Sequence, residues 1–180
     1  MLVMPSDHYI EDALSFQKTV ADALERLTDD NLVMLGARAM GMEERFGYIL
    51  SDSQGQVKAF KEKPNLEETK GILSKGHCFW NTGIFLIRPQ TYLELLSKNA
   101  PKMFEAIRET FEASMINYSQ VTVNPVEYKN VPANAVDYVI MERVKNAQVV
   151  ALDTYWSDIG TWKSLLALKM DRLLGRDKAA

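Results

Sequence analysis

Leu2-Val3-Met4-Pro5-Ser6-Asp7-His8 is the stretch on which the reading of this 180-residue chain turns. Three consecutive apolar residues predict a short, fully buried strand. Pro5 ends it, because proline has no N–H to give to a sheet ladder. Ser6, Asp7 and His8 then lie just past the carboxyl end of a core strand, the edge at which open α/β sheets bind ligands. Two readings of Asp7 stand at this point: it caps the helix that follows, or it holds a cation or a sugar hydroxyl. Nothing before Leu2 pairs with the strand, so either Met1 is the true start or upstream sequence is missing.

Further along, Ile10, Ala13, Leu14, Val20, Ala21, Leu24 and Leu27 fall mostly at helical spacing. Leu32-Val33-Met34-Leu35, closed by Gly36, predicts a second strand, and strand–helix–strand units favour a parallel, right-handed crossover. Phe46 to Leu50 and Val57 to Lys61 predict a hairpin. Gly47 within it is either a bulge or a point where backbone comes close to something. Leu66 to Lys75 reads as a short charged helix. His77 to Ile87 is the most apolar run of the chain, interrupted by Asn81 and Thr82. A buried amide must find partners or cost about 1–3 kcal/mol, so Asn81 either satisfies backbone or binds a polar ligand. Pro89 and Pro101 open two scaffold helices, the second running to about Met115. Val121-Thr122-Val123 is an edge-strand candidate. Asn134 to Val144 reads as a helix with Asp137 in its first turn, where a carboxylate suits the dipole. Ala147 to Leu152 is a strand, Asp153 to Gly160 a polar loop, and a closing helix runs from Thr161 or Trp162 to about Leu174. The expectation is one domain over residues 1–174 and a frayed tail over 175–180.

Composition excludes several classes. The chain is 47% hydrophobic and 25% charged with formal charge -3, an ordinary globular balance with no basic field for nucleic acid. No run reaches the roughly 18 apolar residues of a membrane span. The lone Cys78 forms no internal disulfide and fits a reducing, cytoplasmic setting. There is no Gly-x-Ser-x-Gly elbow. With only His8, His77 and Cys78, a His- or Cys-based zinc site lacks ligands. What remains in the loops is Asp7, Glu62, Lys63, Asn81 and Asp158. That inventory suits a polyhydroxylated, phosphorylated ligand with a hard cation.

The same residues sit in recognisable strings. Pro5-Ser6-Asp7-His8-Tyr9-Ile10 resembles the Pro-Ala-Asp-His-x-Ile motif of bacterial mannose-1-phosphate guanylyltransferases. Glu44-Arg45-Phe46-Gly47-Tyr48-Ile49 resembles their Glu-Thr-Gly-Tyr-Gly-Tyr-Ile segment, with Arg45 and Phe46 as departures. Phe60-Lys61-Glu62-Lys63-Pro64 matches Phe-x-Glu-Lys-Pro, and Trp80-Asn81-Thr82-Gly83-Ile84-Phe85 is similar to Trp-Asn-Ser-Gly-Met-Phe. Val136 to Glu142 resembles Ile-Asp-Tyr-Ala-Val-Met-Glu, and Trp156 to Trp162 resembles Trp-Ser-Asp-Val-Gly-Ser-Trp.

The resemblance implies an α/β fold, a Rossmann-like mixed sheet of the sugar nucleotidyltransferase type, incomplete at its N-terminus. It implies transfer of GMP from GTP to mannose 1-phosphate, giving GDP-mannose and pyrophosphate. By the same likeness Asp7 and Asp158 bind Mg2+, and Gly47, Glu62 and Asn81 meet the sugar. Lys63 meets the sugar phosphate, so that Asp7, Lys63 and Asp158 form the catalytic set. Asp137 aligns on the substrate side, with the helix-cap reading beside it. The family's Gly-rich phosphate signature, which precedes the Asp-His motif, has no counterpart here, nor has its C-terminal extension, in some members an isomerase domain. Nine glycines are present and no two lie closer than five residues, so no cluster cradles a triphosphate. The expectation is therefore a chain that is catalytically incomplete alone and that self-associates or exchanges domains through its exposed first strand. A non-catalytic sugar-phosphate-binding remnant is the alternative. A related glycosyltransferase is disfavoured, because those often carry two metal-binding acids one residue apart, and neither Pro5 nor Tyr9 is acidic.

Overall fold

The computed structural model describes residues 1–160 and 165–166. The expected closing helix, apart from the helical Leu165 and Leu166, and the expected tail lie outside the described residues. Two compact units are present: Met1–Ile87 with the chain from Asn146 onward, and Arg88–Lys145.

The first unit is built on a mixed sheet. Its strands are β1 (Leu2–Val3), β3 (Leu32–Arg38), β4 (Tyr48–Ser51), β5 (Val57–Lys61), β6 (Cys78–Ile87) and β9 (Ala147–Ala151), in the order β5-β4-β6-β3-β9 with β1 also on β6. Leu32 to Leu35 are fully buried, as a strand covered on both faces requires. β3 runs parallel to β9, and every other pair in this sheet is antiparallel. β2 (Tyr9–Ile10) and β10 (Trp156–Ser157) form a separate two-stranded ladder. α1 (Ala13–Glu25) lays Ala23, Phe16 and Val20 on Val33, Leu35 and Ile84. The short helix α2 (Leu66–Leu73) starts with a reciprocal capping box between Asn65 and Glu68.

Several expectations are corrected. β1 is not fully buried: Leu2 is 41% and Met4 47% exposed. Among the described residues it pairs with β6 alone, and a strand paired on a single flank has fewer neighbours to bury it. β1 and β3 both pair antiparallel to Phe85 and Leu86, so the two point the same way but lie on opposite sides of β6. Ile10 belongs to β2 and not to the helix. Asp12 caps α1 by accepting from Leu14 N–H at 2.8 Å, which removes the capping reading of Asp7. Gly36 does not close β3. It is the point of closest approach, where a Cβ would fall 2.6 Å from Phe79 Cβ. The β4–β5 hairpin is as expected.

The second unit holds α3 (Pro89–Asn99), α4 (Pro101–Glu112), the hairpin β7 (Met115–Asn117) with β8 (Gln120–Thr122), α5 (Pro125–Tyr128) and α6 (Asp137–Met141). Met115 thus begins a strand, not the last turn of a helix. In place of the long helix expected over 134–144 there is a single π-helical turn, in which the Asp137 carbonyl accepts from Glu142 N–H at 2.9 Å. Three consecutive residues of this turn, Val139, Ile140 and Met141, are buried. Val139 and Ile140 pack with Leu96 and Met103.

Candidate active site

The residues that the resemblance sets against the sugar come together where the ends of β4 and β5 lie beside β6. The Asn81 N–H donates to the Gly47 carbonyl at 2.7 Å. Glu62 follows directly on β5, whose Lys61 stands opposite Tyr48. A Cβ at residue 47 would collide with Glu62 Oε2 and lie 3.1 Å from Asn81 Cβ. Gly47 is therefore a close-approach glycine and not a bulge. Lys63 Nζ stands 3.7 Å from Glu62 Oε1, the lysine 59% exposed and the glutamate 11%. The ammonium can thus swing to a ligand, while the carboxylate is held in the wall.

Asn81 owes its position to an irregularity in β6. Leu35 pairs with Ile84 but Gly36 pairs with Asn81, so Thr82 and Gly83 are extra on the β6 side. Thr82, buried, donates its hydroxyl to the Leu35 carbonyl at 2.6 Å and accepts from Ile84 N–H at 3.2 Å. Gly83 takes φ +70° beneath Pro5 Cγ, which a Cβ would approach to 3.1 Å. Asn81 Oδ1 accepts from Gly83 N–H at 3.0 Å. Asn81 therefore does satisfy backbone, and it does so on the edge that also borders Gly47.

The two aspartates lie on neighbouring segments. In the β2–β10 ladder Ser157 stands opposite Tyr9. Asp158 continues β10 in that direction, and His8 and Asp7 precede β2. Asp7 is exposed, and Asp158 is partly covered. A Cβ at residue 160 would come within 2.8 Å of Asp158 Oδ2, so Gly160 keeps the carboxylate clear. Among the described residues no cluster of three or more His, Cys, Asp or Glu could hold an ion by itself. The donor type, carboxylate oxygen, is nonetheless the one Mg2+ takes, and that ion is usually held by one or two carboxylates together with substrate phosphate and water.

Lys63 and Ile159, each next to a site carboxylate, have φ of 44°. This is an outlying conformation for a β-branched residue such as isoleucine, and such conformations concentrate at functional sites.

Aromatic rings join the two clusters. Phe46 packs against Trp80 at 5.5 Å and Trp156 at 5.2 Å between centroids. Trp156 Nε1 donates to His8 Nδ1 at 3.2 Å. Arg45 Nη1 stands 4.0 Å from Asp158 Oδ2. Sequence reasoning gave Arg45, Phe46, Trp80, Trp156 and His8 no role, and the signal lay in Arg45 and Phe46 being departures from the motif. Asp137 belongs to the other compact unit, at the start of the π-helical turn.

A mixed sheet with oxygen-rich loops and close-approach glycines at one edge defines an α/β domain with a polar, carboxylate-bearing edge. The chain belongs to the nucleotidyl transferase family, whose profile matches residues 1–173. It is 35% identical over 169 residues to the xanthan biosynthesis protein XanB of Xanthomonas campestris, covering 92% of this chain and 36% of that protein. It is 32% identical over 177 residues to a mannose-1-phosphate guanylyltransferase of Escherichia coli, covering 93% and 38%. Among solved structures it is similar to a mannose-1-phosphate geranyltransferase from Thermus thermophilus, with TM-score 0.79, 30% identity, and 93% and 49% of the two chains covered. A mannose-6-phosphate isomerase from Helicobacter pylori gives TM-score 0.80 at 26% identity, covering 87% and 63%. The chain thus spans little more than a third of the curated relatives it matches. No helix among the described residues is long and apolar enough to cross a membrane.

Proposed function

We propose that this chain forms the acceptor-sugar and metal side of a sugar-phosphate nucleotidyltransferase that makes GDP-mannose and pyrophosphate from mannose 1-phosphate and GTP. The observation that supports the reading is the meeting of Gly47, Glu62 and Asn81, where the missing side chain of Gly47 lets the Glu62 carboxylate sit close against the backbone beside Asn81. A carboxylate and an amide together offer acceptors and donors for vicinal hydroxyls. Lys63 next to Glu62 supplies a mobile positive charge for the phosphate.

The chemistry asks for no histidine base. A phosphate oxygen of the sugar phosphate, already an anion near neutral pH, forms the new bond to the α-phosphorus of GTP. The bond from that phosphorus to the β-bridging oxygen breaks, and pyrophosphate leaves with the electron pair. Positioning and charge neutralisation are the main tasks, by analogy with other phosphoryl transfers. Glu62 and Asn81 orient the sugar, and Lys63 holds its phosphate. Asp7 and Asp158 would hold Mg2+, which when bound offsets charge on phosphate oxygens. Asp137 is carried as a substrate-side residue on its motif alone. The wide spacing of the glycines favours one second reading, a chain that binds sugar phosphate without turning it over.

The test is calorimetric titration of the 180-residue chain with mannose 1-phosphate, with and without Mg2+. Binding should tighten with Mg2+ in the wild type and lose that dependence in Asp7→Asn and Asp158→Asn. Lys63→Met should weaken binding about tenfold, the loss of one charge-assisted contact. Unchanged binding in a folded Lys63→Met chain would refute the assignment.

A further inference from the structure

The two departures from the family motif, Arg45 and Phe46, both face the site's carboxylate side. Arg45 Nε and Nη2 donate to the two oxygens of Glu43 at 2.9 and 2.8 Å, the bidentate fork that a guanidinium favours. This bond holds the Glu43 carboxyl below the usual range. Glu43 is itself anchored, since its N–H donates to Tyr48 Oη at 2.7 Å and that hydroxyl donates back to the Glu43 carbonyl at 3.1 Å. Tyr48 is among the most buried side chains of the core. The guanidinium carbon lies 5.4 Å from the Phe46 ring centroid, within cation–π range, and the Phe46 ring is wedged against Trp80 and Trp156. One edge of the guanidinium is therefore occupied by Glu43, and Phe46 lies within range of its charge. Nη1 makes no hydrogen bond among the described residues and stands 4.0 Å from Asp158 Oδ2, beyond hydrogen-bond reach.

We propose that Arg45 is a phosphate ligand of this site, presenting its Nη1 side to the phosphate group of a sugar phosphate or of a nucleoside triphosphate. The proposal rests on the functional reading above. Its first support is charge: a phosphate placed near Glu62 and Asp158 meets carboxylates, and Lys63 is the one cationic side chain so far assigned against them, beside the Mg2+ that Asp7 and Asp158 would hold. A second cationic side chain on the Asp158 side balances the array. The second support is preorganisation. A guanidinium already fixed by a fork and an aromatic platform loses little rotamer freedom when it binds. The third is access, because the Arg45 side chain is 47% exposed while the Tyr48 that fixes its Glu43 partner is buried. A purely structural staple between Glu43 and Arg45 would affect melting and leave phosphate affinity alone.

The experiment titrates the 180-residue chain with mannose 1-phosphate and, separately, with GTP, for wild type, Arg45→Gln, Arg45→Lys and Lys63→Met. Arg45→Gln should weaken one of the two ligands about tenfold, and which one it weakens names the phosphate that is held. Arg45→Lys keeps the charge but loses the fork, so it should fall between. Melting of Arg45→Gln should stay within about 2 °C of wild type, as expected for a half-exposed pair. Wild-type affinity for both ligands in Arg45→Gln, with Lys63→Met still impaired for mannose 1-phosphate, overturns the role of Arg45 and leaves the functional reading standing. A wild-type chain that binds neither ligand overturns both.

Discussion

At residue 47 the lack of a side chain is required by the site and not by the backbone. Gly55, Gly76 and Gly83 have positive φ, and Gly47 does not. What an alanine would meet there is the far end of the Glu62 side chain and then Asn81 Cβ at 3.1 Å, side chains and not backbone. Gly47→Ala should therefore cost little stability, under about 1 kcal/mol, while displacing the carboxylate and abolishing mannose 1-phosphate binding. Gly36→Ala makes the contrast. Its Cβ would meet Phe79 Cβ at 2.6 Å and Val149 Cγ2 at 2.9 Å inside the packed sheet, and overpacking of that kind costs about 1–3 kcal/mol. Urea midpoints and calorimetry on both variants separate the two effects. Normal ligand affinity in Gly47→Ala would remove Glu62 from the binding wall.

Among the elements, β6 does two jobs along one strand. Its second half is central core, with Ile84 to Ile87 buried between β3 and β1. Its first half carries Trp80 and Asn81 to the site. The irregularity at Thr82 and Gly83 separates the two halves by resetting which residues face which partner. Thr82→Val keeps the shape but leaves the buried Leu35 carbonyl without its 2.6 Å donor. An unsatisfied buried polar group costs about 1–3 kcal/mol, and the unfolding midpoint should fall accordingly. Because Asn81 precedes the irregularity directly, sugar-phosphate affinity should fall as well. A variant that loses stability but binds normally would show that Asn81 is positioned without Thr82.

For the molecule as a whole, the prediction concerns turnover and association. Close approach of backbone amides to a triphosphate calls for clustered glycines, and the nine present are spread at intervals of five residues or more. The 180-residue chain should therefore release no pyrophosphate from GTP, mannose 1-phosphate and Mg2+. Among the described residues β1 pairs on one flank only, with Leu2 and Met4 exposed beside it, a template for strand pairing. Size-exclusion chromatography should accordingly show concentration-dependent association. Robust pyrophosphate release from a monodisperse monomer would overturn both expectations and place the triphosphate on some other segment.

The α/β alternation, the β4–β5 hairpin, the proline-started helices and the family were all legible in the order of residues. Each rests on local periodicity, turn chemistry or a contiguous string, which a linear reading can see. The same reading singled out Gly47, Glu62, Lys63 and Asn81, but left open whether Gly47 was a bulge and Asn81 a backbone partner. Those questions closed only in the folded chain, because the answer depends on Glu62 beyond β5 and Asn81 on β6 both reaching Gly47. Folding likewise gave the capping of α1 to Asp12 and not Asp7, since an N-cap is fixed by where the backbone leaves the extended conformation. The exposure of β1 depended on which strands flank it, and the Arg45 clamp on a buried tyrosine hydroxyl holding Glu43 in place. No pattern of apolar and polar residues along the chain encodes either, because both arise from what the folded neighbours supply.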